Sequence, residues 1–337
     1  MVFLSIALGS GVATGQINPN ISAGSPEDID LLSNGYLDPL GDFLQTGLST
    51  GWYQTAKTHK LGRFDVMITP TYVFIPNDQQ VFTINNSDFN SLKLVDGVSA
   101  SSPTVFGDKT EGPDLILKDD PTSGQNSKFT MPAGLGSTFT VLPTYKVSVG
   151  LIKKTELSLR YLPEITLPLE DAGKFELWGV AVKHDLTQYL PGGKIIPLDI
   201  SAFFGYTQLD YIQDVQIGTS NQENQKLAIS SNSITGRILV SKKFLFVTPY
   251  VGVGFLGGET TINMTGDYTY DVAKPQDNFI KRETITDPVT ITSKGANGAV
   301  INAGVQFLIV KFLALSIDYS KLEYNSVTAG LGVNVDF

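Results

Sequence analysis

The sequence predicts an all-β fold: a closed antiparallel up-and-down transmembrane β-barrel of about 10–12 strands (roughly 8–14 at the limits), preceded by a short helical N-terminal segment. Three observations point there. From Phe64 onward, segments of strand length alternate apolar with polar or small residues, the two-residue period of a sheet whose faces meet different surroundings. The connections between these segments alternate short and long. The chain ends on SVTAGLGVNVDF, in which Val327, Ala329, Leu331, Val333, Val335 and the terminal Phe337 fall at every second position.

Taken in chain order, residues 1–15 read as a secretory signal peptide. An apolar stretch from Val2 to Leu8 runs into Ala13-Thr14-Gly15, a small-x-small cleavage pattern, although the positively charged start is missing. A buried N-terminal strand is the alternative. Residues 16–63 read as a helical periplasmic or plug segment. Ser25-Pro26-Glu27-Asp28 combines a capping residue, proline at the first helical position and acids in the first turn. Ile29, Leu32, Tyr36, Leu37, Leu40, Phe43 and Leu44 follow at helical spacing. Asn34-Gly35 and Pro39 interrupt that spacing, which predicts two short helices. They would plug the lumen, gate it from the periplasm, or cap one end of the barrel.

Residues 64–337 carry the barrel. The strands are FDVMITPTYVF (64–74), VLPTYKVSVGL (141–151), TELSLRY (155–161), FELWGVAVK (175–183), LDISAFFGYT (198–207), SITGRILV (233–240), FLFVTPYVGVGF (244–255), AVINAGVQFLI (299–309), FLALSIDYS (312–320) and the closing stretch. QVFTIN (80–85) and KFTMP (128–132) would add a hairpin and raise the count from ten to twelve. Tight turns at Ile152-Lys153-Lys154, Ser241-Lys242-Lys243 and Val310-Lys311 lie on one side; long loops at 77–138, 211–227 and 257–296 lie on the other. Short turns on one side and long loops opposite are an outer-membrane arrangement. The gaps 186–197 and 321–325 break that rule. The chain is expected in the cell outer membrane; entering from the periplasm, an even strand count returns its end there, so both termini are expected to be periplasmic.

The polar faces hold charges at Asp65, Lys146, Glu156, Arg160, Lys183, Asp199, Arg237 and Asp318, all expected to line the lumen. A barrel of this size is just wide enough to be filled by side chains. Interleaved ion pairs would close it, or the same charges would form the selectivity lining of a narrow pore.

Composition removes other chemistries. A net charge of −9 disfavours nucleic acid as a partner. With no cysteine, disulfides, thiolate metal sites and thiol catalysis are excluded. His184-Asp185 would point to opposite faces of a strand, and no nucleophile motif accompanies them. GVGFLGG (252–258) has no helix after it and so lacks the context of a phosphate loop. His59 would tether the segment before the first strand. Acids in the loops match no calcium-loop spacing. No catalytic residue, metal ligand or cofactor site is assigned.

The closing stretch resembles the C-terminal insertion signal read by the assembly machinery of Gram-negative outer membranes, with Phe337, Val335, Val333, Leu331 and Val327 at its positions. The sequence also resembles a functionally uncharacterised family of bacterial outer-membrane proteins. GWYQTAKTHKLGRFDV (51–66), PTVFG (103–107), MPAGLG (131–136), LRYLPEI (159–165) and ELWGVAVKHDLTQYLP (176–191) carry that resemblance. It implies location and architecture and brings no chemistry. The N-terminal helical segment is also loosely similar to the plug of long-chain fatty-acid transporters. The function expected is a passive channel or transporter of small or hydrophobic solutes; the alternatives are a closed structural or surface-interaction barrel and, last, a lipid-acting enzyme. Outer-membrane lipid, the assembly machinery and a solute are the expected partners.

Overall fold

The computed structural model describes residues 25–118, 128–166, 173–191, 197–214, 225–273, 280–287, 289–309 and 312–335. The expected signal peptide, and Phe337 of the expected insertion signal, lie outside the described residues. One helix, α1 (Pro26–Ser49), precedes the strands β1 (Phe64–Ile68), β2 (Thr71–Phe74), β3 (Val81–Thr83), β4 (Leu92–Leu94), β5 (Ser101–Pro103), β6 (Asp114–Leu117), β7 (Phe129–Thr130), β8 (Phe139–Leu142) and β9 (Tyr145–Gly150). The long walls follow: β10 (Thr155–Thr166), β11 (Lys174–Asp185), β12 (Asp199–Asp214), β13 (Lys226–Ser241) and β14 (Val247–Thr265). Then come β15 (Asp267–Ala273), β16 (Ile280–Thr286), β17 (Val289–Ser293), β18 (Gly298–Ile309), β19 (Leu313–Lys321) and β20 (Ser326–Val335).

The ring closes as the alternation requires. β1 pairs with β9 on one side and β20 on the other, and β2 pairs with β8 and β20 in the same way. The remaining walls run in order from β10 through β14 to β18, β19 and β20, all antiparallel, giving a barrel of 10 strands. The first two walls are each broken at a proline. Pro70 and Pro143 lack an N–H for the ladder, and Thr69 bridges the break by donating to the Thr144 carbonyl at 2.8 Å. Closure register runs from Phe64 opposite Val335 to Ile68 opposite Leu331. Lipid supplies no hydrogen bonds, so a spanning sheet is stable only when its last strand meets its first. No described helix is long and apolar enough to cross a membrane.

Apolar side chains face outward around the ring: Val66, Val147, Leu159, Val180, Phe204, Ile238, Val253, Ile301, Ile317 and Leu331 are all exposed. Tyr161 stands opposite Trp178 across β10 and β11, and the Trp178 ring lies 5.4 Å from that of Tyr206, forming an aromatic row. Above this row the polarity inverts. Glu176, Asp210 and Ser230 now face out, with Ser230 donating to Asp210 at 2.7 Å. Phe175, Leu177, Leu209, Tyr211, Leu227 and Ile229 are buried inside. The walls are therefore polar-in below the row, where lipid surrounds them, and apolar-in above it, where water does. Interfacial aromatics mark that kind of boundary.

The upper apolar lining is filled by α1. Tyr36, Leu40, Phe43, Leu44 and Leu48 pack into one buried cluster with Leu177, Leu209, Ile229 and Ile262. Each such burial contributes about 1.5–3 kcal/mol. That offsets the cost of Gly35 (about 1 kcal/mol) and Pro39 (about 3 kcal/mol) inside a helix, so α1 runs unbroken for 24 residues. The expected pair of short helices is thus one helix, and burial overrides local propensity. Nor is it a cap at the short-turn end. Ser25 lies among the long loops, bonded to Ser91, while Phe64 and Val335 pair at the short-turn end. Ser25 and Val335, the first and last described residues, therefore sit at opposite mouths of the barrel.

The long connections are also more ordered than expected. QVFTIN and KFTMP do not pair with each other: β3 pairs with β5, and β4, β6 and β7 form a small sheet outside the barrel. Within 257–296, β14 continues to Thr265, β15 and β16 form a hairpin, and β17 pairs with the top of β14.

Candidate functional site in the barrel lumen

Below α1 the chain continues as an irregular segment, 50–63, through the polar half of the lumen. Several of the inward charges meet it there. The α1 C-terminus leaves carbonyls without intrahelical donors and concentrates negative partial charge, and no basic residue lies in its last turn. The wall supplies the cation. Arg160 donates to the Leu48 carbonyl at 3.0 Å and to the Thr50 carbonyl, and its guanidinium lies 3.8 Å over the Trp52 ring. Thr207 adds a bond to Leu48 at 3.2 Å. Gly179 makes room for the indole: a Cβ there would sit 3.0 Å from Trp52 and 2.7 Å from the Tyr206 carbonyl.

A charge cluster lies lower down. His59 Nδ1 is 2.7 Å from Glu156 Oε2, and the His59 backbone N–H donates to the same oxygen at 3.0 Å. Lys183 Nζ is 2.9 Å from Glu156 Oε1 and donates to the Thr55 carbonyl at 3.3 Å. Lys146 donates to Gln54 Oε1 at 3.0 Å and to Asp65 Oδ2 at 3.4 Å. Asp65 is also 3.7 Å from His59 Nε2. On the opposite wall, Tyr53 donates to Asn302 at 2.9 Å, Asn302 to Asp318 at 2.7 Å, and Ser320 to Asp318 at 2.9 Å. Arg237 donates to the Phe255 carbonyl at 2.5 Å.

Of the eight expected lining charges, Asp65, Lys146, Glu156, Arg160, Lys183, Arg237 and Asp318 are buried; Asp199 is half-buried at the short-turn mouth. Asp199 borders a cavity of about 60 Å³ beside Lys57, His59 and Lys243. The partners that sequence reading missed are Thr50, Trp52, Tyr53 and Gln54. Their only signal was the density of aromatic and polar residues in TGWYQTAKTHK just before the first strand.

The end of α1 among the long loops is latched as well. Asp28 accepts four hydrogen bonds, from the backbone of Asn90, Ser91 and Leu92 and from the Ser91 hydroxyl, at 2.7–2.9 Å. Burial works to raise its pKa, but these bonds together hold it below the ordinary value. Asp42, on the helix near the β19–β20 loop, goes the other way. Burial first, then the charges of Glu323 and Asp38, push it up to about 7.

The other histidine pair does not form a reactive dyad. His184 contacts Thr155 Oγ1 at 2.9 Å and Tyr189 Oη at 3.0 Å, whereas Asp185 binds Lys154 at 2.8 Å. No cluster of three potential metal ligands occurs among the described residues.

A closed antiparallel ring, greasy outside and occupied inside by its own N-terminal segment, defines a plugged transmembrane β-barrel of the outer-membrane type. The chain belongs to the family described as Family of unknown function (DUF6588), which matches residues 1–335. No curated protein matches it. Among solved structures it is similar to Ail, the attachment invasion locus protein of Yersinia pestis, at 10% identity over 82% of this chain and 99% of that one, with a TM-score of 0.25. It is also similar to the outer membrane protease OmpT from Escherichia coli, at 7% identity over 85% and 99%, TM-score 0.33. The translocator domain of the autotransporter NalP from Neisseria meningitidis matches at 8% identity over 87% and 91%, TM-score 0.30.

Proposed function

We propose that this chain is an outer-membrane barrel held closed by its own N-terminal segment, a surface protein presenting its helix start and long loops outward, with no standing pore. The observation that carries this reading is the filled lumen. Apolar side chains of α1 occupy the upper half, and residues 50–60 occupy the lower half on Arg160, Lys146, Lys183 and Glu156. Such contacts seal a lumen against ions, because any path must first break buried charge-assisted bonds. The test is planar-bilayer recording of the full chain. A closed baseline with rare brief openings is expected; large, steady conductance steps would overturn the reading.

A second reading, a solute transporter whose plug is displaced during passage, is favoured by one observation. A cavity of about 460 Å³ opens at the outer mouth against the Gly35 and Pro39 turn of α1, where the helix is intrinsically weakest. Liposome uptake of a small solute with a silent electrical baseline would support it.

A further inference from the structure

We infer that the outer cavity is a binding site for a small amphipathic amine: a compact apolar or aromatic body carrying a cationic nitrogen. It goes beyond the closed-barrel reading, since occupancy there neither requires nor forbids passage through the lumen. The cavity lies between one face of α1 and the segment 79–104, and its volume of about 460 Å³ falls within the usual range for small-molecule sites.

The walls define the ligand's body. Leu31 and Val81 are exposed, Phe89 is buried, and the Phe82 ring packs against Gly35 of the helix. A Cβ at Gly35 would stand 2.5 Å from Phe82 Cδ2, so glycine at this position lets the ring reach the helix backbone. Two aromatic rings beside a cavity suit either an apolar group or a cation.

The polar groups define its head. The ionisable residues lining the cavity are Asp38 and Asp88, both carboxylates, and neither is in a salt bridge among the described residues. Asp38 accepts one bond, from the Ser293 hydroxyl at 2.9 Å. Asp88 accepts from Asn85 at 3.3 Å and from Ser87 at 3.1 Å. The site thus offers two exposed carboxylates as charged acceptors. An anion would be repelled, and a neutral hydrocarbon would leave the acceptors unused.

The test uses the full chain in lipid nanodiscs, with equilibrium dialysis against empty discs. The probes are 2-phenylethylamine, its neutral counterpart 2-phenylethanol, and n-butylamine, which keeps the charge without the ring. Saturable binding of 2-phenylethylamine is expected, at least about fivefold tighter than either of the others. The double variant D38N/D88N should weaken it at least about tenfold; asparagine still accepts from Ser293, so the fold is spared. Independently, V81K places an ammonium at the exposed rim and should abolish binding with both acids intact. Uptake equal to that of empty discs, equal affinity for the alcohol, or wild-type binding by D38N/D88N or V81K would each overturn the site.

Discussion

Arg160 closes the end of the lumen helix: its guanidinium, rooted in the wall strand β10, donates to the Leu48 carbonyl at 3.0 Å across 112 residues of sequence. A cation at a helix C-terminus is favourable, and here it also satisfies carbonyls that lipid and wall would leave bare. Each hydrogen bond to a charged group contributes about 1.5–3 kcal/mol net of the water it replaces. Arg160→Met should therefore loosen the lower plug by about 3 kcal/mol while preserving side-chain bulk in the lumen. In bilayer recordings the variant is expected to flicker open far more often than the parent, and an unchanged baseline would refute the assignment.

The Glu156–Lys183 pair makes a separate prediction. Removing one member of a buried pair strands the other charge and costs about 3–5 kcal/mol, whereas replacing both with apolar groups recovers most of that. Glu156→Gln should lower the urea midpoint in micelles markedly, because Lys183 loses its carboxylate and His59 its charged acceptor. Glu156→Leu combined with Lys183→Met should restore much of the loss. Strictly additive single-variant effects would show that the two residues do not act as a pair.

How much of this was legible in the sequence depends on what each signal measures. Alternation at period two distinguishes two faces of a strand, so Leu159 outward and Arg160 inward could be read directly, and closure into a barrel followed from lipid. Alternation says nothing of what fills the middle. The partners of Arg160 and Lys146 lie 110 and 92 residues away in an irregular segment with no periodicity of its own. Gly35 and Pro39 misled for the opposite reason: they are true local breakers, overridden by burial of Leu40, Phe43 and Leu44. The polarity inversion at Trp178 left a single mark, the adjacent apolar pair Leu177-Trp178, where the apolar positions of FELWGVAVK move from odd to even numbers as the solvent outside changes from water to lipid; one such step reads as an irregularity in an otherwise alternating strand.

Asp42 sets a pH dependence. Its folded-state pKa is raised from 3.8 to about 7 by burial and by Glu323 and Asp38. The folded chain then holds the proton more tightly than the unfolded chain does. Stability is therefore full below about pH 4 and declines as pH rises through about 7. Asp28, whose pKa is lowered, acts in a different window, losing its contribution only in stronger acid. The melting temperature is expected to fall between about pH 4 and 7 in the parent and to level off above that, and Asp42→Asn should remove most of that slope. A slope retained in Asp42→Asn would place its origin elsewhere.

Orientation can be tested cleanly because the chain contains no cysteine. Ser25 and the first turn of α1 lie among the long loops, whereas Lys153 and Leu245 occupy the tips of short turns at the other mouth. Glu27 and Leu245 are both exposed, so a cysteine at either should disturb little. With the long loops outward, a membrane-impermeant maleimide should label Glu27→Cys on intact cells. It should reach Leu245→Cys only after the outer membrane is permeabilised. Labelling in the reverse order would invert the barrel and move the amine cavity to the periplasmic face. Equal labelling of both sites on intact cells would mean that the lumen admits the reagent, contradicting a filled interior.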